Sequence, residues 1–132
     1  MSNRRVALLR LSLGFVWIYT GVLCLAVVPI EESAALVSRV GLDDALARWT
    51  VWITSGFEIL LGLGVIVGVW PRVLAIVQIV LISGFTILIS LFLPEFWLHP
   101  FGPVSKNVVL LAAAYALGYE TPAECDKPAK NP

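Results

Sequence analysis

Long apolar runs alternate with short polar segments along this chain. The runs predict membrane-spanning helices at about residues 6–28, 49–69, 73–93 and 103–119, because a helix needs about 20 mostly apolar residues to cross a bilayer. Prolines stand at the ends of these runs, where helices start or stop. The last run is short, since about 17 residues rise only roughly 25 Å against a hydrocarbon core of about 30 Å. The pattern predicts an all-α polytopic membrane protein, built as an antiparallel bundle of four transmembrane helices.

The first connecting segment is more than a plain linker. Within residues 30–48, the apolar residues Leu36, Val40 and Ala47 recur at near-helical spacing between acids and arginines, and Gly41 interrupts them. An amphipathic segment beside a membrane buries its apolar face in the interface. We therefore expect a short interfacial helical segment in this first outer loop.

Composition restricts the class of protein further. Hydrophobic residues make up 59% of the 132 residues and charged residues 14%, whereas a soluble domain carries about 25% charge. The length suits one membrane domain, residues 1–119, and the prolines and charges of residues 120–132 predict a flexible cytoplasmic tail. A net charge of zero gives no basic surface for a nucleic acid.

The chain has no recognisable motif for a bound metal, haem or flavin. Its two cysteines, Cys24 and Cys125, are far apart and form no CxxC pair, and there is one histidine, His99. Metal sites need several such ligands at characteristic spacing. We therefore expect no metal site, and the cofactor stays open.

The distribution of lysine and arginine predicts the orientation. With the N-terminus inside, six of these residues fall in inner segments and three in outer loops. Cytoplasmic segments carry the excess of positive residues. The sequence therefore predicts a multi-pass protein of the bacterial inner membrane with both termini in the cytoplasm.

One carboxylate lies inside the second predicted span. Glu58 is the only charged residue in the stretch 51–69, and a charge at such depth costs roughly 2.5–3.5 kcal/mol. Lys106 is the leading partner, because Pro103 predicts a helix start and places this cation in a first turn that favours anions. Three interpretations stay open: a structural ion pair with Lys106, a proton-relay or ligand-binding role, and a protonated Glu58 bonded to Ser or Thr.

Polar side chains of the other spans fall at a similar depth. In the predicted orientation, all four spans bring polar groups to the outer half of the bundle, where they form a pocket. The candidates for ligand binding or proton relay are Glu58, Lys106, Asn107 and His99. The supporting residues of the pocket are Thr20, Ser55, Thr86 and Ser90.

Three stretches of the sequence resemble the DoxX-like membrane protein family. They are residues 10–17 with 20–21, residues 57–62, and residues 99–107, which read His-Pro-Phe-Gly-Pro-Val-Ser-Lys-Asn. The likeness extends from about Arg5 to Gly118. It implies a four-helix bundle of the inner membrane, and for the name-giving members it implies a link to quinone-using respiratory and sulfur-oxidation complexes.

The resemblance suggests a subunit or accessory of a redox or quinone-linked membrane process. A quinone would accept hydrogen bonds from Lys106, Asn107 or His99, and Glu58 would carry the proton. Partners would be the lipid bilayer, redox-complex subunits and a second copy of the chain. Two alternatives stay open: a small proton-coupled transporter and a membrane scaffold without a ligand.

Overall fold

The computed structural model describes residues 3–100 and 102–119, and all regular elements in this part of the chain are helical. The predicted tail lies outside these residues. In chain order the elements are α1 (Asn3–Val22), which continues as a π-helical stretch (Leu23–Val27), α2 (Ile30–Ser38), α3 (Asp44–Val67), α4 (Pro71–Phe92), a 3-10 turn (Pro94–Trp97) and α5 (Lys106–Tyr119).

Three helices in the described chain are long and apolar enough to cross a membrane. They are Asn3–Val27, Asp44–Val67 and Pro71–Phe92. The fourth predicted span is shorter than expected, because α5 has 14 residues, which rise about 21 Å. It begins at Lys106 instead of Pro103 because the Ser105 hydroxyl folds back to donate to the carbonyl oxygen of Gly102 at 3.0 Å, so that residues 103–105 form a turn.

The helix that carries Glu58 starts earlier than the apolar run suggests. The Asp43 carboxylate accepts a hydrogen bond from the backbone N–H of Leu46 at 2.8 Å and so caps α3 at Asp44. An N-cap of this kind stabilises a helix by about 1 kcal/mol. Gly41 separates this start from α2 with a φ of 99°, a conformation open to glycine. The predicted helical segment in this connection is thus confirmed as α2 and the first turn of α3.

Helix α1 lies directly on α3 through glycines. A Cβ on Gly62 would lie 2.7 Å from the carbonyl oxygen of Gly14, and a Cβ on Gly21 would lie 2.6 Å from that of Ser55. Near the other end, the Arg10 guanidinium lies against Gly68, which ends α3 in the left-handed conformation. The contacts advance in opposite directions along the two helices. Gly62 therefore faces α1.

Helices α4 and α5 form a second pair, again through small residues. Gly118 packs against Ala75 at one end, and the Asn107 side chain reaches Thr86 towards the other. Small residues let helix backbones approach closely where lipid offers no hydrophobic driving force. The described helices therefore group as α1 with α3 and α4 with α5.

A buried hydrogen bond joins the two pairs. The Trp17 indole N–H donates to the Gln78 side-chain oxygen at 3.0 Å, and the Gln78 amide donates to the carbonyl oxygen of Leu74 at 3.2 Å. Gln78 is 0% exposed, so its amide needs these partners. Apolar residues of both pairs, among them Leu13, Leu61 and Ile82, complete the core around it.

Substitution of Gly62 by alanine tests the contact between α1 and α3. The added Cβ forces α1 away from α3, and we expect a loss of roughly 1–3 kcal/mol, as for other overpacked sites. The measurement is thermal unfolding in detergent. Gly56→Ala is the matched control, because a Cβ there meets nothing within 4 Å and alanine favours a helix by up to ~1 kcal/mol. Equal melting temperatures for the two variants contradict close packing at Gly62.

Candidate functional site

A cavity of about 380 Å³ lies among the end of α1, α2, α3, α4 and the 3-10 turn. Its apolar wall comes from α2, the loop after it, α3, α4 and the 3-10 turn, through Leu36, Val37, Val40, Leu42, Val51, Phe85, Leu88, Ile89, Leu93 and Phe96. Its polar groups are Cys24, Ser33, Thr50, Thr54, Ser55 and Glu58. The cavity is therefore mostly apolar, and most of its polar groups lie on α3.

The packing of the helix pairs explains why the space is there. Helix α3 packs on α1 and α4 packs on α5, so α3 and α4 touch each other little. They meet near the turn that joins them, where Leu74 lies 3.2 Å from the Cβ position of Gly64. The cavity occupies the opposite part of the gap, and α2 packs against α3 beside it.

Glu58 lies on the cavity wall next to Thr20. The Thr20 hydroxyl is 3.1 Å from Glu58 Oε2, and the same hydroxyl is 3.0 Å from the carbonyl oxygen of Val16 and 3.1 Å from that of Trp17. Three acceptors thus surround one hydroxyl hydrogen. This contact matches the interpretation in which Glu58 bonds a threonine.

The expected pair of Glu58 with Lys106 is not formed. The ion pairs of the described chain are Arg39 with Glu95 and Arg48 with Glu31. Lys106 is exposed at the first residue of α5. The physical reason is that α5 packs on α4 and only slightly on α1, so that Lys106 does not reach α3.

Cys24 and Ser55 extend the polar side of the cavity. The Cys24 thiol and the Ser55 hydroxyl line the cavity together with Glu58. Ser55 is 3% exposed. Four residues from two helices, Thr20 and Cys24 on the α1 side and Ser55 and Glu58 on α3, therefore form one cluster.

The remaining polar candidates form a separate cluster between α4 and α5. The Asn107 amide donates to the Thr86 hydroxyl at 2.8 Å, and the Trp97 indole N–H donates to the Ser90 hydroxyl at 2.9 Å. Thr86 and Ser90 in turn donate to backbone carbonyls four residues earlier, each at 2.6 Å. Hydroxyls that bond their own helix in this way need no partner in a pocket. The polar groups of the four predicted spans therefore do not share one pocket.

His99 lies apart from both clusters. Its ring stacks on that of Phe96, with centroids 6.3 Å apart and an interplanar angle of 18°. The residue is exposed and does not line the cavity. Of the sequence-based candidates, the structure brings Glu58, Thr20 and Ser55 together at the first cluster. Asn107, Thr86 and Ser90 lie in the second cluster, between α4 and α5.

The contribution of α2 to the cavity was missed by the sequence analysis. Ser33, Leu36, Val37 and Val40 follow the i, i+3, i+4, i+7 spacing of one helix face, and all four line the cavity. The spacing was the available signal. The same spacing fits an interfacial face, because a pattern of apolar positions does not say whether lipid or protein covers them.

An ion pair holds α2 to the 3-10 turn beside the cavity. The Arg39 guanidinium donates to the Glu95 carboxylate, and the chain neighbours Val40 and Phe96 line the cavity. The hydrogen bond from Arg39 lowers the pKa of Glu95. Both side chains are about half exposed, so the pair contributes little to stability.

A double-mutant cycle tests which partner Glu58 has. Thr20→Val and Glu58→Leu are expected to be non-additive by about 0.5–3 kcal/mol, because the two side chains touch. Glu58→Leu and Lys106→Met are expected to add within about 0.5 kcal/mol, because they do not. The measurement is unfolding in detergent for all singles and doubles. Coupling between Glu58 and Lys106 without coupling to Thr20 contradicts the contacts described above.

Acidification tests the pair at Glu95. Since the folded pKa of Glu95 is lowered, the pair is complete above the ordinary pKa of glutamate, about 4.3, and it is lost as the pH falls through the lower folded pKa. Carbon-13 NMR of the glutamate carboxyls should show a Glu95 midpoint below the ordinary value. In the control variant Arg39→Gln the midpoint should rise towards that value. A midpoint that is the same in both proteins excludes the pair in solution.

Comparison with known protein families matches residues 14–115 to the DoxX-like family. The matched range includes Glu58 and the whole cavity lining. No curated protein and no solved structure matches the chain. Together with the three long apolar helices, the family match identifies an integral membrane protein.

Proposed function

Because the chain belongs to the DoxX-like family, we propose that it is a membrane subunit or accessory of a redox process and binds a quinone-like, lipid-soluble molecule. The single observation that carries this proposal is the cavity of about 380 Å³ with apolar walls and a carboxyl group, Glu58, on one side. Small-molecule sites are clefts of about 300–1,000 Å³ with mostly apolar lining and a few placed polar groups.

The lining suits a ring with carbonyl groups. The Phe85 and Phe96 rings and the α2 side chains Leu36 and Val37 give flat and apolar contacts. The hydroxyls of Ser33 and Thr50 have no partner within the described chain. Hydroxyl groups of this kind donate to a carbonyl oxygen. This set of donors replaces Lys106, Asn107 and His99 in the proposal.

Glu58 supplies the proton in this proposal. A carboxylate without a cation in hydrocarbon costs several kcal/mol, and the Thr20 hydroxyl has one hydrogen for three nearby acceptors. A protonated Glu58 resolves both problems, because its O–H donates to the Thr20 oxygen while Thr20 donates to a backbone carbonyl. Reduction of a quinone to a quinol takes up two electrons and two protons. In this proposal the redox partner supplies the electrons, the protonated Glu58 on the cavity wall supplies one proton, and water supplies the other and reprotonates Glu58.

We place the protein in the bacterial inner membrane as four antiparallel spans with both termini in the cytoplasm. Helix α5 is the fourth span. Its 14 residues and the turn before it fit the bilayer if the lipid thins locally, at a modest cost. An even number of spans puts both termini on one side, and the lysine and arginine bias makes that side the cytoplasm.

Labelling with a membrane-impermeant maleimide tests this topology. Cys125 should stay unlabelled in intact cells and react after the membrane is permeabilised. A control with Cys125→Ala and Leu98→Cys should react in intact cells, since Leu98 is 90% exposed and follows α4 on the opposite side. Labelling of Cys125 before permeabilisation excludes the proposed orientation.

A bulky side chain in the cavity tests the ligand. Leu36→Trp fills space next to the apolar wall, whereas Leu46→Trp changes an exposed residue outside the lining. Lipid extracts of the purified proteins are analysed by mass spectrometry. We expect a quinone with the natural protein and with Leu46→Trp, and at least about tenfold less with Leu36→Trp, equivalent to ~1.4 kcal/mol.

The same experiment distinguishes the alternative functions. A protein that carries no lipid-soluble molecule beyond phospholipid favours a scaffold. A different amphiphile, lost in Leu36→Trp and driven across vesicles by a pH gradient that requires Glu58, favours a proton-coupled transporter. Equal amounts of quinone in all three proteins contradict binding in this cavity.

A further inference from the structure

A second cavity of about 390 Å³ lies at the starts of α2 and α3 and shares no lining residue with the first. Its wall is formed by Ala45, Arg48, Trp49 and Trp52 of α3, with Ile30 of α2 opposite. The four α3 residues follow the i, i+3, i+4, i+7 spacing of one helix face. We call this second cavity the Arg48 groove.

Arg48 lines the groove, and the carboxylate of Glu31 lies near it, outside the groove lining. Arg48 Nη1 lies 3.6 Å from Glu31 Oε1, which is beyond hydrogen-bond distance. Their side chains are 52% and 64% exposed. The guanidinium therefore keeps its N–H donors available, and the carboxylate keeps its acceptors available.

Two indole rings flank the charges. Trp49 and Trp52 are 65% and 58% exposed, and neither indole N–H has a partner within the described chain. Tryptophan at a membrane boundary places its ring at the level of the lipid headgroups. Arg48 lies about one turn inside the start of α3, the apolar helix Asp44–Val67, so the groove lies where the helix leaves the hydrocarbon region.

We propose that the Arg48 groove binds the headgroup of a zwitterionic phospholipid with a primary ammonium, such as a phosphoethanolamine lipid. Arg48 donates to the phosphate, for which the planar guanidinium is well suited. Glu31 accepts from the ammonium, and an indole face adds a cation–π contact. The glycerol and acyl chains lie along Ile30 and the tryptophan rings.

The pairing of charges selects among lipids. A phosphoglycerol headgroup has a phosphate for Arg48 but no cation for Glu31, and its negative charge meets that of the carboxylate. A phosphocholine headgroup has a cation but no N–H that Glu31 can accept from. The phosphoethanolamine headgroup satisfies both side chains, and we therefore expect the order phosphoethanolamine, phosphocholine, phosphoglycerol.

Native mass spectrometry of the purified full-length protein tests the proposal. The protein in detergent is titrated with phosphatidylethanolamine, phosphatidylcholine and phosphatidylglycerol of identical acyl chains. We expect phosphatidylethanolamine to bind about tenfold more tightly than phosphatidylglycerol. Glu31→Gln should abolish this preference, and Arg48→Gln should weaken the binding of both lipids. Glu31 is exposed, so its variant is expected to keep the fold, and circular dichroism verifies this for each protein.

Arg39→Gln and Glu95→Gln are the matched controls, because they remove the other exposed ion pair of the described chain and should leave the lipid preference unchanged. Soluble glycerophosphoethanolamine distinguishes a lipid site from a site for a free headgroup, and it should bind more weakly than the lipid. Equal affinity for the three lipids, an unchanged preference in Glu31→Gln, or equal binding of the soluble headgroup each overturns the proposal.

Discussion

The close approach of α1 to α3 is the contact on which the rest of the structure depends. Gly14 and Gly62 let the two backbones meet, and Gly21 does the same near Ser55 and Glu58. In a bilayer, packing of this kind replaces the hydrophobic driving force between helices, because lipid is as apolar as the side chains. The approach brings the Thr20 hydroxyl to Glu58, and without it the carboxyl of Glu58 would face hydrocarbon alone.

The same pairing creates the gap in which the cavity lies. Because α3 packs on α1 and α4 packs on α5, the two pairs meet through few contacts. The most specific of these contacts is the buried hydrogen bond between Trp17 and Gln78. A single interhelical hydrogen bond of this type is worth about 0.6 kcal/mol in a membrane. The bond therefore sets the relative position of the two helix pairs, and it contributes little to the free energy of unfolding. Helix α2 then supplies the wall that the gap lacks, through Leu36 and Val37.

Polar side chains of the helices are accommodated in two different ways. Those of Thr86 and Ser90 bond the carbonyls of their own helix and so lie in apolar surroundings at low cost. Those of Cys24, Ser55 and Glu58 line the cavity. Depth in the membrane alone does not distinguish these cases, because helices at the same depth can turn their polar residues towards different neighbours.

The sequence by itself determined the helical elements and their places. Apolar runs of spanning length fix three helices within a few residues of their observed ends, and the isolated charge of Glu58 marks the helix with the site. These features are local, since they depend on spacing and on the cost of polar groups in lipid.

The tertiary structure alone decided which helices pair, and with that the partner of Glu58, which is Thr20 and not Lys106. It also turned the apolar face of α2 onto the cavity. Pairing depends on the fit of side chains from segments distant in sequence, and the apolar pattern of one segment is satisfied equally by lipid and by protein.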